Sequence, residues 1–240
     1  MIRSELTKLT ATRSTWVLAA MAGVFCALWT VVVVVTIEQP SGEHIRSAYQ
    51  NAQQAFLFSL ILGILAMTSE YRHQTITWSF LASPHRQRVL LAKFTAYGLI
   101  AGLGIAAVAA CSTAAAATVA LGVRGFPLTS AGLPQVLLGA TVSTVLYAML
   151  GVCLGALIRH QAAAIAVAFG WFYYAEYLLV WLLPEVGKWV PGGAAKSLIG
   201  FNLNGTLTLL PAWIGGPVFL GYAVLLGVAA YAFTTRRDIT

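Results

Sequence analysis

Apolar residues in this chain fall in long runs separated by short polar breaks. The runs cover residues 16–37, 52–69, 94–122, 134–158, 161–183 and 212–235. Each approaches or exceeds the roughly 20 residues that cross a hydrocarbon core as a helix, so the pattern predicts six transmembrane helices. The second run is the shortest, and the third is long enough to tilt or to extend past the bilayer. Proline placement agrees with these limits. Pro40, Pro84, Pro127, Pro184, Pro191 and Pro211 lie between runs, and Pro134 opens one, where a missing N–H costs little. Pro217 alone sits inside a run, beside Gly215 and Gly216, and predicts a kink in the last span.

Two of the flanking stretches carry a pattern of their own. Ile2, Leu6 and Leu9 recur at helical spacing with Arg3 and Lys8 off that face, which predicts an interfacial helix over residues 2–15 ahead of an aromatic-belt Trp16. Arg13 interrupts the pattern, and the plainer alternative is a basic flank to the first span. Residues 184–211 mix Trp189, Leu198, Ile199, Phe201 and Leu203 with Gly192, Gly193, Asn202 and Asn204. That stretch is too apolar for a free loop and too broken for a span, so one or two short helices lying in or dipping into the outer face are expected. Gly98 with Gly102, and Gly151 with Gly155, each place two glycines on one helix face, where backbones can approach closely.

Composition makes the membrane assignment firm. Of 240 residues, 59% are hydrophobic and 9% charged, against roughly 25% charged in soluble domains, which excludes an ordinary globular protein. The net charge of +7 invites a nucleic-acid reading, but its distribution argues otherwise. With the amino terminus inside, ten of the basic residues fall on inner segments and four (Arg46, Arg124, Lys188 and Lys196) on outer ones. That bias encodes orientation, with both termini cytoplasmic and no call for a nucleic-acid partner. The first run of 22 residues exceeds a signal-peptide core and no small-residue cleavage site follows it, so it reads as a retained anchor. Cys26, Cys111 and Cys153 lie within spans, at no disulfide or metal spacing.

Catalytic chemistry finds no constellation. His44, His73, His85 and His160 fall in loops or at span ends without ligand spacing, no serine occupies a nucleophile elbow, and Lys196-Ser197 lacks the glycines of a phosphate-binding loop. The sequence therefore predicts no catalytic residue, no metal and no cofactor. Glu176 is the one acid well inside a span, roughly 12 Å below its outer end at 1.5 Å per residue. Trp171, Phe172, Tyr173, Tyr174, Tyr177 and Trp181 surround it in sequence. Such rings and a carboxylate could receive an amphipathic or cationic substrate. The alternative is an acid hydrogen-bonded to a neighbouring helix, with the tyrosines as belt anchors.

The densest polar interruption spans residues 70–93. Ile76 and Phe80 can form one edge of a short helix with Trp78 nearby, ended by Pro84, after which Arg86, Arg88 and Lys93 can meet inner-leaflet phosphates. Glu70 and Arg72 close the second span and could pair with those bases. A loop that only sets topology explains the arginines but not Trp78 and Phe80. Here the chain resembles the permease subunits of type-2 ABC exporters, particularly small actinobacterial-style ones. The resemblance rests on Glu70-Tyr71-Arg72-His73-Gln74-Thr75, then Leu81-Ala82-Ser83-Pro84, then Arg86-Gln87-Arg88-Val89-Leu90-Leu91-Ala92-Lys93.

It implies an all-α integral membrane protein of the bacterial plasma membrane, in which a cytoplasmic coupling helix between spans two and three seats in a separate ABC ATPase. Two ATPase copies would serve two permease halves, this chain with a second copy or a sister permease, in contact with membrane lipids. The resemblance further implies that Trp78 and Phe80 anchor in the ATPase groove, that Glu70 and Arg72 transmit its motion, and that Trp171, Tyr173, Tyr174, Glu176 and Tyr177 line or gate the path. A proton-driven transporter using Glu176, a scaffold or immunity protein binding through the same loop, and a membrane enzyme are the rivals.

Overall fold

A computed structural model describes residues 2–38, 41–73, 91–128, 132–201 and 209–236, and among these every regular element is helical. The predicted segment around Trp78, Phe80, Pro84, Arg86 and Arg88 lies outside the described residues. Helix α1 (Ile2–Ala11) is separated by extended Thr12 from α2 (Arg13–Thr36). Helix α3 (Gly42–Gln50) runs through a 3₁₀ turn (Asn51–Ala55) into α4 (Phe56–Arg72). Then come α5 (Leu91–Val123), α6 (Leu133–Ile158) and α7 (Gln161–Leu182). The short helices α8 (Pro184–Gly187) and α9 (Pro191–Leu198) precede α10 (Ala212–Arg236). Six helical stretches are long and apolar enough to cross a membrane, the second being α3 and α4 together. The chain is an all-α, multi-pass membrane protein.

Two boundaries differ from the sequence reading. The interfacial helix stops at Ala11, because Thr12 turns extended and Arg13 already opens the first span. Arg13 therefore belongs to the next helix and does not spoil the face of α1, on which Leu9 is buried and Leu6 packs. The second span starts ten residues before the predicted Ala52, at Gly42. Glu43, His44 and Arg46 hid this turn from a hydropathy reading, although Ile45, Ala48 and Tyr49 form a buried stripe at helical spacing.

The centre of the bundle is the pair α4 and α6, whose backbones touch. A methyl group on Gly63 would overlap the Ala148 carbonyl, one on Gly151 the Leu60 carbonyl, and one on Gly155 would come within 2.7 Å of the Ile64 carbonyl. Only glycine permits that approach. Ser59 Oγ crosses the same seam and donates to the Thr144 carbonyl at 2.9 Å. The second glycine pair serves the α5–α6 contact, with Gly98 against Met149 and Gly102 against Val145 and Ala148. Helix α10, with Pro217 inside it as expected, packs Phe219 edge-on against Tyr147 of α6. The outward sides of α2, α7 and α10 leave large apolar residues such as Trp16, Val35, Trp181 and Leu225 exposed, as spans facing lipid or another helix do.

With six spans, α1 and the last turn of α10 fall at one end of the bundle, here called the base. The opposite end is capped by α8 and α9. Leu198 of α9 meets α6 at Gly139, Ser197 meets α10 at Gly215, and Gln50 Nε2 of α3 donates to the Ile199 and Gly200 carbonyls at 3.3 and 3.1 Å.

Candidate functional site

Two polar clusters stand out against this apolar frame, one at each end. At the base, α1 contributes Glu5 and Lys8, three residues apart and so on one face. Helix α4 contributes Glu70 from its last turn, and α5 contributes Lys93 from its first. Lys93 is 1% exposed, and its three ammonium protons have three acceptors: Glu5 Oε2 at 3.1 Å, Glu70 Oε1 at 2.9 Å and the Ala66 carbonyl at 3.0 Å. The ammonium also lies 5.6 Å from the Tyr97 ring centroid. Lys8 closes the ring, donating to Glu5 Oε1 at 2.8 Å and Glu70 Oε1 at 3.0 Å.

Two acids and two bases thus neutralise one another where an isolated charge would be too costly to bury. Burial alone would raise the Glu5 carboxyl, but Lys93 and Lys8 beside it outweigh that and hold it below the usual carboxylate value. Burial opposes the Lys8 charge, and hydrogen bonds to Glu5 and Glu70 overcome it, holding Lys8 well above the ordinary lysine value. Glu70 Oε2 is buried with no hydrogen-bond partner among the described residues.

The sequence reading placed Glu70 and Lys93 within pairing reach, and they do pair. Arg72 does not join them: it is exposed and donates to Gln161 Oε1 of α7 at 3.4 Å. Glu5 escaped notice, though with only seven acids in the chain, one set three residues before a lysine on an amphipathic helix was a usable signal. Between Arg72 and Leu91 the chain leaves and re-enters this cluster, so both feet of the predicted coupling segment are fixed to one ionic knot.

At the far end, Glu176 is 1% exposed. The wide π turn over Gly170–Ala175 precedes it in α7. Trp171 Nε1 donates to its Oε1 at 3.0 Å, and the Gly192 N–H donates to its Oε2 at 2.6 Å. Gly192 lies in the first turn of α9, so the carboxylate caps that helix and faces the positive end of its dipole. Lys196, one turn further on the same face, places its ammonium 4.9 Å from the Tyr177 ring centroid and 5.9 Å from that of Phe201. Burial draws Lys196 below the ordinary lysine value, with the Glu176 carboxylate partly offsetting it. Of the aromatic residues singled out with Glu176, Tyr173 stacks on Phe169 and Tyr174 meets it edge-on, and Trp171, Tyr173, Tyr174 and Tyr177 all present open surface on α7. Among the described residues they do not line a common cavity.

An apolar groove of about 510 Å³ between α5, α6 and α10, lined by Phe94, Met149, Leu220 and Val224 among others, offers a ligand no charge. Among the described residues no group of three metal-ligating side chains comes together. In comparisons with known proteins, no family model matches the chain and no curated protein is significantly similar to it.

Proposed function

We propose that this chain is the transmembrane permease subunit of an ATP-driven exporter, working by alternating access on energy supplied by a separate cytoplasmic ATPase. The observation that carries the reading is the ionic knot of Glu5, Lys8, Glu70 and Lys93. It ties the end of the second span, the start of the third and the amino-terminal helix together at the two feet of the 74–90 segment. A push or pull on that segment is delivered at once to α4 and α5, and through the glycine seam to α6. A loop that only set topology would have no use for a buried, charge-balanced clamp at its roots.

On this reading the base faces the cytoplasm of a bacterial cell, in agreement with the charge bias of the loops. Trp78 and Phe80 seat in the ATPase, two of which act on two permease halves. Because Tyr173, Tyr174 and Tyr177 of α7 present open surface, the path they line would run between the halves. Glu176 has both oxygens engaged by fixed donors, Trp171 Nε1 and the Gly192 N–H, which gives it a capping role at α9.

The test is co-expression with the ATPase encoded beside the chain, purification through a tag on this subunit, and measurement of ATPase recovery. Stoichiometric co-elution that is lost in the Trp78→Ala/Phe80→Ala double variant, with membrane insertion intact, is the expected result. A clean permease with no ATPase bound would overturn the proposal in favour of a scaffold or a secondary transporter.

A further inference from the structure

The groups around Lys196 are those that would bind a cation from outside the chain. Two aromatic rings, Tyr177 and Phe201, face its ammonium at 4.9 and 5.9 Å. The Glu176 carboxylate lies beneath the same face of α9, engaged by Gly192 N–H and Trp171 Nε1. Ring faces attract positive charge, as does the Glu176 carboxyl in its ionised form, and the attraction rises as water is excluded. Lys196 makes no ion pair within 4 Å and no hydrogen bond through its ammonium among the described residues. Among the described residues it is held by rings and field, on a flexible four-carbon stem that can swing aside.

We propose that Tyr177, Phe201 and Glu176 form a binding site for the cationic head of an amphiphile, and that Lys196 is its tethered resident, displaced when the ligand enters. Tyr177 is 61% exposed and is followed by exposed Leu178 and Trp181 on α7. The site therefore opens sideways onto the exposed face of α7 near the far end of the bundle. An amphiphile partitioned into that leaflet can reach it with its apolar body along α7 and its charge against the rings. This rests on the exporter reading for its use as a substrate site, but not for its existence: the site is a property of the chain alone.

The resident lysine makes the test directional. The purified chain, reconstituted in zwitterionic nanodiscs without ATPase or nucleotide, is titrated with tetraphenylphosphonium; tetraphenylborate, nearly the same size but negative, is the control, and empty discs are subtracted. Lys196→Gln is expected to tighten tetraphenylphosphonium binding about tenfold, the competitor's share for a partly desolvated cation over rings. Lys196→Arg, which keeps the resident, should bind as the native chain does. Tyr177→Leu added to Lys196→Gln should return the affinity to the native level or below. Unchanged or weaker phosphonium binding in Lys196→Gln, with normal elution of the variant, would overturn the proposal. So would a loss of tetraphenylborate affinity in that variant, which would make Lys196 a site for anions. Phosphonium binding that behaves as expected in a chain that recruits no ATPase would sink the exporter reading and leave the site standing; the converse pair of results would do the opposite.

Discussion

Replacing Lys93 by methionine tests the basal knot most severely. The ammonium is 1% exposed and has three acceptors between 2.9 and 3.1 Å, Glu5, Glu70 and the Ala66 carbonyl. Methionine conserves most of the volume, so little of the loss is cavity. What remains is two carboxylates sharing Lys8, whose side chain is 46% exposed, and a cluster moved from neutral to one net negative charge. Breaking a buried pair by removing one partner costs about 3–5 kcal/mol. Adding Glu70→Gln removes the surplus charge and leaves the Glu5–Lys8 pair at 2.8 Å intact. The double variant should therefore be more stable than Lys93→Met alone, by about 1–2 kcal/mol. Denaturant unfolding in mixed micelles, followed by tryptophan fluorescence, measures all four corners of the cycle. If the double variant loses the sum of the two single losses to within about 0.5 kcal/mol, the sites are independent and the knot is not a unit.

Three further outcomes follow. Gly63→Val or Gly151→Val would drive a side chain into the facing backbone carbonyl, so neither variant should yield monodisperse protein by size-exclusion chromatography, whereas Gly104→Val, where an added Cβ meets nothing within 4 Å, should. Glu5 is held below its ordinary value, so its share of α1 docking is present above that value and lost as pH falls through the folded value; Lys8 is held above its ordinary value, so its share is lost only in strong alkali. A fluorophore on exposed Thr7→Cys should thus show constant anisotropy from about pH 5 to about pH 10 and loosen only in acid or in strong alkali, and loosening near neutrality would contradict the assignment. Glu176→Gln retains an oxygen to accept from Gly192 and should leave the far-end cap in place, while Glu176→Ala strands both donors and should cost about 1–3 kcal/mol, read by thermal unfolding in detergent; equal stability of the two variants would refute the capping role.

The parts of this fold that hydropathy governs were legible in the sequence, and those governed by pairing were not. Six spans follow from run length, the glycine contacts of Gly98, Gly102, Gly151 and Gly155 from spacing, and the short far-end helices from prolines that now stand at the first turns of α8 and α9. Glu176 was recognised as buried, and of its two readings the structure gives it a neighbouring helix to cap. Helix α3 was missed because its polar residues depress hydropathy, while its buried face shows only in periodicity. Glu5 was missed because its buried partner Lys93 lies 88 residues away, and the local spacing to Lys8 does not by itself announce a tertiary ion pair. Lys196 drew attention as an outer base and as half of a false nucleotide motif; its rings come from α7 and from Phe201 beyond α9, a convergence that only folding creates.

The polar entry to the second span bears on how the chain is made. Arg46 and Gln50 sit inside a helix that must enter lipid, yet their acceptors, the Ile199 and Gly200 carbonyls, are synthesised about 150 residues later. Until then the amide and guanidinium have no partner from the far-end cap, and Gly63 has no Gly151 to lie against. During translation the second span is therefore a poor candidate for release into the bilayer alone; it has to wait at the insertion machinery, or rest at the surface, until the fourth span and the far-end cap arrive. Truncations ending before residue 199 should accumulate with the second span unintegrated.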